Sequence, residues 1–278
     1  MNLEEENVIG IVGGMGPKAG LALFDSILCH TRAVTDQQHL SAILMSFPAH
    51  IVDRTSFLEG ASHVNPAYNI AEIIRKLERA GAKVAGIACN TSHSPAIYNV
   101  ILAELYRTNS RVKLVNMPYE TCRYIQDNHS HVRRIGVMTT NGTYKSGIYK
   151  QLLQSLGYEV VTPDFEFQNN IIHKMIYDQE FGLKSNASGV SAEARSLLDK
   201  ALRFFRSKRS DLIILGCTDL SFMLTDDIAG DMLVVDSTES LAMALIREAG
   251  TLKINGNPGF IVSHAGQPGK LGSENLAQ

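Results

Sequence analysis

The 278-residue sequence has little net charge, only four cysteines and no long apolar run. A formal net charge of −2 provides no basic surface of the kind that binds nucleic acid or anionic lipid. No stretch approaches the roughly 20 apolar residues needed to cross a bilayer. None of the cysteines forms a Cys-x-x-Cys pair, so neither a disulfide framework nor a paired-cysteine metal site is expected.

The start of the chain also lacks the basic segment of a secretory signal, since MNLEEENVIG carries three glutamates. We therefore expect a cytoplasmic protein with reduced thiols. With 45% apolar and 19% charged residues, the chain has the composition of a globular protein with one large domain or two smaller ones.

The dominant pattern is a short apolar strand, a loop of small residues and a helix, repeated along the chain. The predicted strands are 8–12, 41–47, 83–88, 113–115, 135–138, 159–162, 212–215 and 233–235. The predicted helices are 17–30, 69–80, 94–106, 145–156, 191–207 and 238–249. Such alternation predicts an α/β fold with parallel sheets flanked by helices.

The two halves of the chain resemble each other. VIGIVGGMGPKAGLALFDSIL aligns by residue type with RIGVMTTNGTYKSGIYKQLL, and AGIACNT with IILGCT. Cys89 lies 79 residues after Gly10, and Cys217 lies 81 residues after Gly136. We therefore predict two similar lobes related by a pseudo-twofold axis, with the site in the cleft between them. Residues 1–117 plus 225–278 are assigned to the first lobe and 118–224 to the second.

Cys89 and Cys217 are the candidate catalytic residues, because each follows a predicted buried strand. In parallel sheets, ligands bind at the carboxyl ends of the strands. One thiolate can accept a proton while the other thiol donates one. Each cysteine is followed by side chains able to hydrogen-bond a carboxylate, namely Asn90, Thr91 and Ser92 in one half and Thr218 and Asp219 in the other. Cys29 and Cys122 lie in predicted helices and are interpreted as structural.

Other motifs leave alternatives open. The loop GGMGPKAG fits neither a dinucleotide fingerprint nor a phosphate loop, so it is either a tight turn or a place for a small ligand to approach the backbone. Arg54, in a predicted loop, forms a surface salt bridge with Asp53 or holds a carboxylate in the cleft. Lys184 is a candidate second cation. Cys89 and His93 could ligate a metal only with further ligands, which the sequence does not supply.

Four motifs together resemble the aspartate/glutamate racemase family, and specifically its aspartate racemase branch: GGMGP, DRT, CNTSH and LGCTD. The resemblance covers roughly residues 7–250. Glutamate racemases match less well, since they open with an Asp-Ser-Gly loop where this chain has GGMGP. The family usually has PDRT, CNTAH and LGCTE where this chain has VDRT, CNTSH and LGCTD.

The resemblance implies an amino-acid racemase of two α/β lobes that uses no cofactor and forms a homodimer. It implies that Cys89 and Cys217 are the acid and base, and that Arg54 binds the substrate's side-chain carboxylate. Lys184 corresponds to a lysine of the family. The other implied binding residues surround the α-carboxylate or line the cleft: Met15, Asn90, Thr91, Ser92, Thr140, Thr218 and Asp219.

Three alternatives remain at this stage. The first is a racemase with a broader range of amino acids. The second is a sensor that binds acidic amino acids without changing their chirality, and the third is a redox switch in which Cys89 and Cys217 form a disulfide. The tail 253–278, rich in glycine, asparagine and proline, is expected to pack little.

Overall fold

Two parallel sheets organise the computed structural model, which describes residues 7–186 and 189–254. The first sheet contains β1 (Val8–Gly13), β2 (Ala42–Ser46), β3 (Ala82–Ile87) and β4 (Lys113–Val115), in the order β2-β1-β3-β4. The second contains β5 (Arg134–Thr139), β6 (Glu159–Val161), β7 (Leu212–Gly216), β8 (Ile228–Ala229) and β9 (Met232–Asp236), in the order β6-β5-β7-β9-β8. Only β8 pairs antiparallel among these described strands.

Helices cover the faces of both sheets. They are α1 (Pro17–His30), α2 (Arg54–Leu58), α3 (Ala67–Arg79), α4 (Pro95–Arg107), α5 (Met117–Asn128), α6 (Asn141–Ser146), α7 (Ile148–Ser155), α8 (Phe165–Phe167), α9 (Lys174–Tyr177), α10 (Ala192–Ser207) and α11 (Ser237–Ile254). A π-helical segment, Gln168–His173, joins α8 to α9. Because helices pack on both sides, the central strands β1 and β7 are buried along their whole length.

The two sheets confirm the internal repeat. In each, the first strand of the half-chain lies between its second and third strands, so that β1 corresponds to β5 and β3 to β7. Gly10 and Gly136 lie in the equivalent strands β1 and β5, and β3 and β7 lead to the two cysteines. The predicted α/β fold with two similar lobes is therefore confirmed.

The return to the first lobe comes later than residue 225. Strand β9 pairs in parallel with β7, so residues 232–236 belong to the second sheet. Of the described elements after residue 225, only α11 (Ser237–Ile254) returns to the first lobe, where it packs on α1, α5 and β3. The sequence-based boundary was wrong for this strand because a short apolar strand carries no signal for the sheet that it joins.

Local structure also differs from the predicted elements around the site. The segment after β2, predicted as a loop, contains helix α2, whose N-terminus is capped by Asp53 accepting from Ser56 N at 2.8 Å. The predicted helix 145–156 is divided into α6 and α7 at Gly147, which has a positive φ of 67°. Both changes place polar side chains near the edge where the strands end.

Cys122 is buried in the core, as the structural interpretation requires, and burial raises the pKa of its thiol to about 12. Cys29 is exposed instead. The tail beyond residue 254 lies outside the described residues. No helix within residues 7–186 and 189–254 combines the length and the apolar character needed to cross a membrane.

The contact between β5 and α10 gives a test of the core. A Cβ added at Gly136 would lie 2.5 Å from Cδ1 of the buried Phe205 ring, so Gly136→Ala is expected to destabilise the fold by about 1–3 kcal/mol through overpacking. Gly250→Ala in α11 is the control, since a Cβ there meets no described atom within 4 Å and alanine favours a helix by about 0.5–1 kcal/mol. Urea unfolding midpoints should move in opposite directions; equal midpoints would contradict the packing described here.

Candidate active site

Cys89 and Cys217 come from different sheets and line one cavity. Each thiol residue follows the carboxyl end of a strand, β3 or β7, and each is only 6% exposed. The cavity has a volume of about 10 Å³, which is the space of about one water molecule. Its lining is mostly polar: Met15, Arg54, Cys89, Asn90, Thr91, Thr140, Tyr177, Lys184, Gly216, Cys217 and Thr218.

The backbone at Cys89 is held by His93. A 3₁₀ turn, Asn90–His93, follows the cysteine, and α4 begins only at Pro95. His93 Nδ1 lies 2.9 Å from the carbonyl of Cys89, and its Nε2 accepts from Met117 N at 3.3 Å. Burial lowers the pKa of His93 to about 4, so the ring is neutral and its Nδ1–H donates. Both ring nitrogens are thus engaged in hydrogen bonds, one of them to the Cys89 carbonyl, and neither is left for a metal ion.

Arg54 lies at the Cys89 side of the cavity and is also 6% exposed. Its Nη2 donates to the carbonyl of Met15 at 2.7 Å and lies 3.9 Å from Asp53 Oδ2. The buried Nε has no hydrogen-bond partner among the described residues. Tyr177, from the second lobe, donates to Asp53 Oδ2 at 2.8 Å. Arg54 is therefore held from the first lobe and, through Asp53, from the second.

Lys184 and Asp219 form an ion pair at the Cys217 side. Lys184 Nζ lies 2.6 Å from Asp219 Oδ2 and 3.4 Å from the carbonyl of Met15. The Cys217 thiol donates to the same Asp219 oxygen at 3.6 Å. Burial alone would lower the pKa of Lys184, but the charge of Asp219 raises it overall. Lys184 stays protonated, with much of its charge directed at Asp219.

The two thiols have opposite protonation tendencies. Burial raises the pKa of Cys89, but the positive charge of Arg54 and hydrogen bonds from Ser92 outweigh that effect, and the net pKa is lowered. Burial and the Asp219 carboxylate raise the pKa of Cys217 to about 12. The site therefore favours the thiolate at Cys89 and the thiol at Cys217.

Side chains of both lobes meet across the cavity and keep it closed. The hydroxyl of Thr91 lies 3.0 Å from that of Thr140 and 2.9 Å from that of Thr143. At the rim, Lys145 of the second lobe lies 2.6 Å from Glu59 of the first. An amino acid does not fit a cavity of this volume, so side chains or whole lobes have to move before one can bind.

The structure brings together the residues predicted from the sequence. Those lining the cavity with the cysteines are Met15, Arg54, Asn90, Thr91, Thr140, Lys184 and Thr218. Ser92 and Asp219 lie behind it, against Cys89 and Lys184. Sequence reasoning missed Tyr177, because the segment from α8 to α9 carries no motif. Within residues 7–186 and 189–254 no group of three or more His, Cys, Asp and Glu side chains could hold a metal ion.

The two similar α/β lobes have the fold of a solved racemase structure, and one thiol from each lobe lines the cavity between them. Residues 12–245 match the family model described as Asp/Glu/hydantoin racemase. The chain belongs to this family, as the motifs indicated.

Characterised relatives agree with the assignment. The broad specificity amino-acid racemase RacX of Bacillus subtilis is 25% identical over 244 residues, which cover 86% of this chain and 96% of RacX. The solved structure of Picrophilus torridus aspartate racemase is 27% identical with a TM-score of 0.72, covering 88% of this chain and 94% of that one. A glutamate racemase of Pseudomonas paraeruginosa is 29% identical over 206 residues, 68% of this chain and 69% of its own.

Proposed function

We propose that the protein interconverts L- and D-aspartate, with glutamate as the second candidate substrate, by proton transfer between two thiols and without a cofactor. The observation that carries the proposal is the presence of Cys89 and Cys217, one from each sheet, in one cavity with Arg54 and Lys184. Racemisation removes the α-proton from one face of the substrate and returns a proton to the other. Two groups from opposite lobes meet that requirement.

The protonation states suggest how turnover begins. The Cys89 thiolate takes the α-proton of one enantiomer, and the Cys217 thiol delivers its own proton to the opposite face. Afterwards Cys89 is a thiol and Cys217 a thiolate, which is the form that acts on the other enantiomer. Asp219 stabilises the thiol form of Cys217 by accepting its hydrogen bond, and Lys184 beside it limits the cost of the thiolate form.

Hydrogen-bond donors stabilise the charge that develops on the α-carboxylate when the proton leaves. Asn90, Thr91 and Thr218 follow the two cysteines and line the cavity, so we assign them to this carboxylate. The Lys184 ammonium, whose pKa is raised by Asp219, is a poor nucleophile for a Schiff base with pyridoxal phosphate.

Arg54 is assigned to the side-chain carboxylate of the substrate, because it lines the cavity and its buried Nε has no hydrogen-bond partner in the part of the chain that the structure describes. The likeness to RacX supports a second candidate, a racemase with a broader range of amino acids. A homodimer is a further expectation from the family resemblance, to be measured by analytical ultracentrifugation.

Incubation of the purified protein with a panel of single enantiomers in D₂O tests this proposal. We expect conversion of aspartate to the racemate, with deuterium at Cα of the product, as measured by chiral chromatography and mass spectrometry. Proton transfer through exchangeable thiols requires that label. Racemisation without deuterium would contradict the two-thiol mechanism, binding with unchanged chirality would indicate a sensor, and activity on neutral amino acids would indicate broad specificity.

A further inference from the structure

The Asn90 side chain takes part in a buried hydrogen-bond chain that reaches both sheets. Its Oδ1 lies 2.6 Å from the hydroxyl of Tyr149, in α7. Its Nδ2 lies 2.9 Å from the hydroxyl of Ser237, the first residue of α11. The Ser237 hydroxyl in turn lies 2.7 Å from the carbonyl of Leu215, two residues before Cys217.

From this chain we propose that Tyr149 and Ser237 are positioning residues that hold the Asn90 amide in one orientation, with one N–H directed at the α-carboxylate of the substrate. The inference rests on the proposed function, since it assigns a task to residues behind the reacting groups. Neither Tyr149 nor Ser237 lines the cavity.

The direction of each hydrogen bond follows from what each atom can donate. The Leu215 carbonyl only accepts, so the single proton of the Ser237 hydroxyl is used there. Ser237 Oγ must then accept from Asn90, which places Nδ2 on that side. Asn90 Oδ1 consequently faces Tyr149 and accepts from its hydroxyl. The amide has one orientation that satisfies all three bonds.

One proton of Asn90 Nδ2 is left over by this network. An amide nitrogen carries two protons, and Ser237 accepts only one of them. Asn90 lines the cavity, so the second proton is available to a bound carboxylate. A flipped amide would turn a carbonyl oxygen towards that carboxylate and repel it, most strongly when charge builds up on it in the transition state.

The same chain couples the two thiols. Asn90 is the residue after Cys89, and Leu215 precedes Cys217 by two residues. Tyr149 belongs to the second lobe, so its hydroxyl reaches across the cleft to the Cys89 segment. The network is therefore complete only when the lobes are closed, and it orients Asn90 in the conformation in which the thiols share one cavity.

A double-mutant cycle tests the inference. Tyr149→Phe removes the hydroxyl that holds Asn90 Oδ1, and we expect kcat/KM for aspartate to fall about tenfold, mostly in kcat. In an Asn90→Ala background, the same substitution should have no further effect on kcat/KM. Ser237→Ala should behave in the same way. Tyr144→Phe is the matched control, since the Tyr144 hydroxyl donates to the Pro163 carbonyl at 2.9 Å, outside the network.

A second readout does not depend on activity. In protein labelled with ¹⁵N-asparagine, the NMR signal of the Asn90 side-chain amide is the one that is absent from the spectrum of Asn90→Ala. The amide proton bonded to Ser237 should exchange slowly with solvent in the wild type and in Tyr144→Phe, and at least about tenfold faster in Tyr149→Phe. Equal effects of Tyr149→Phe on kcat/KM in both backgrounds, or unchanged amide exchange, would overturn the inference. Inactivity of the wild type on every amino acid would instead refute the proposed function, while the exchange measurement would still decide the network.

Discussion

Replacing either Cys89 or Cys217 with alanine is expected to lower the rate of racemisation by about 10²–10⁴-fold in both directions. Each direction needs one thiol to remove the α-proton and the other to deliver one, so the loss of either interrupts both directions. Both residues are buried in a closed cavity, where water does not readily replace a missing thiol. Chiral chromatography after incubation with each enantiomer measures the effect.

The two variants should nevertheless differ in a partial reaction. Cys217→Ala retains the Cys89 base, so it should exchange the α-proton of one enantiomer with solvent deuterium without inverting it. Cys89→Ala should favour exchange of the other enantiomer. Cys29→Ala is the control, because Cys29 is exposed on α1 and far in sequence from either strand end. Near-wild-type racemisation by either single variant would show that two thiols are not required.

The parallel sheets and the meeting of the two cysteines could be predicted from the sequence because both follow from repeated patterns along the chain. Alternating strands and helices specify parallel sheets, and the similar spacing in the two half-chains specifies equivalent strand ends. The sheet assignment of β9 could not be predicted in this way. Its partner is β7 rather than a strand of the first sheet, and that choice depends on tertiary packing.

The difference between the pKa values of the two thiols could not be predicted from the sequence around each cysteine either. Both cysteines end a buried strand and are followed by small polar residues, so their neighbourhoods look alike. Asp219, two residues after Cys217, helps to keep that thiol protonated. Arg54, which lowers the pKa of Cys89, comes from a different helix. Tyr177 and Tyr149 likewise reach the site from segments that carry no recognisable motif.

The pH dependence of the wild type follows from these shifts. The base must be a thiolate, so activity should rise with pH through the lowered pKa of Cys89. The acid must keep its proton, and the pKa of Cys217 at about 12 allows this well into the alkaline range. The pH profile of kcat/KM in the wild type should therefore have an acidic limb set by Cys89 and a broad plateau above it.

Arg54→Gln is expected to lower kcat/KM for aspartate by about 10²–10³-fold at neutral pH, because it leaves a buried thiolate without its partner charge. Only Ser92 and Lys184 then counteract burial, so the pKa of Cys89 should rise and the acidic limb should move to higher pH. Raising the pH should restore part of the lost activity. Arg54→Lys keeps the positive charge beside Cys89, so its acidic limb should lie closer to that of the wild type than the limb of Arg54→Gln.

Comparison of substrates separates the two roles that Arg54 has in this site. If it only binds the side-chain carboxylate, Arg54→Gln should raise KM for aspartate, leave the acidic limb in place and spare any activity on alanine. If it is also the counter-ion of the Cys89 thiolate, activity on alanine should fall and its pH limb should shift as well. Arg75→Gln is the control, since Arg75 lies on α3 and pairs at the surface with Glu72. An unmoved limb for both substrates would show that Arg54 does not set the protonation of Cys89, and the lowered pKa of that thiol would then depend on Ser92 and Lys184.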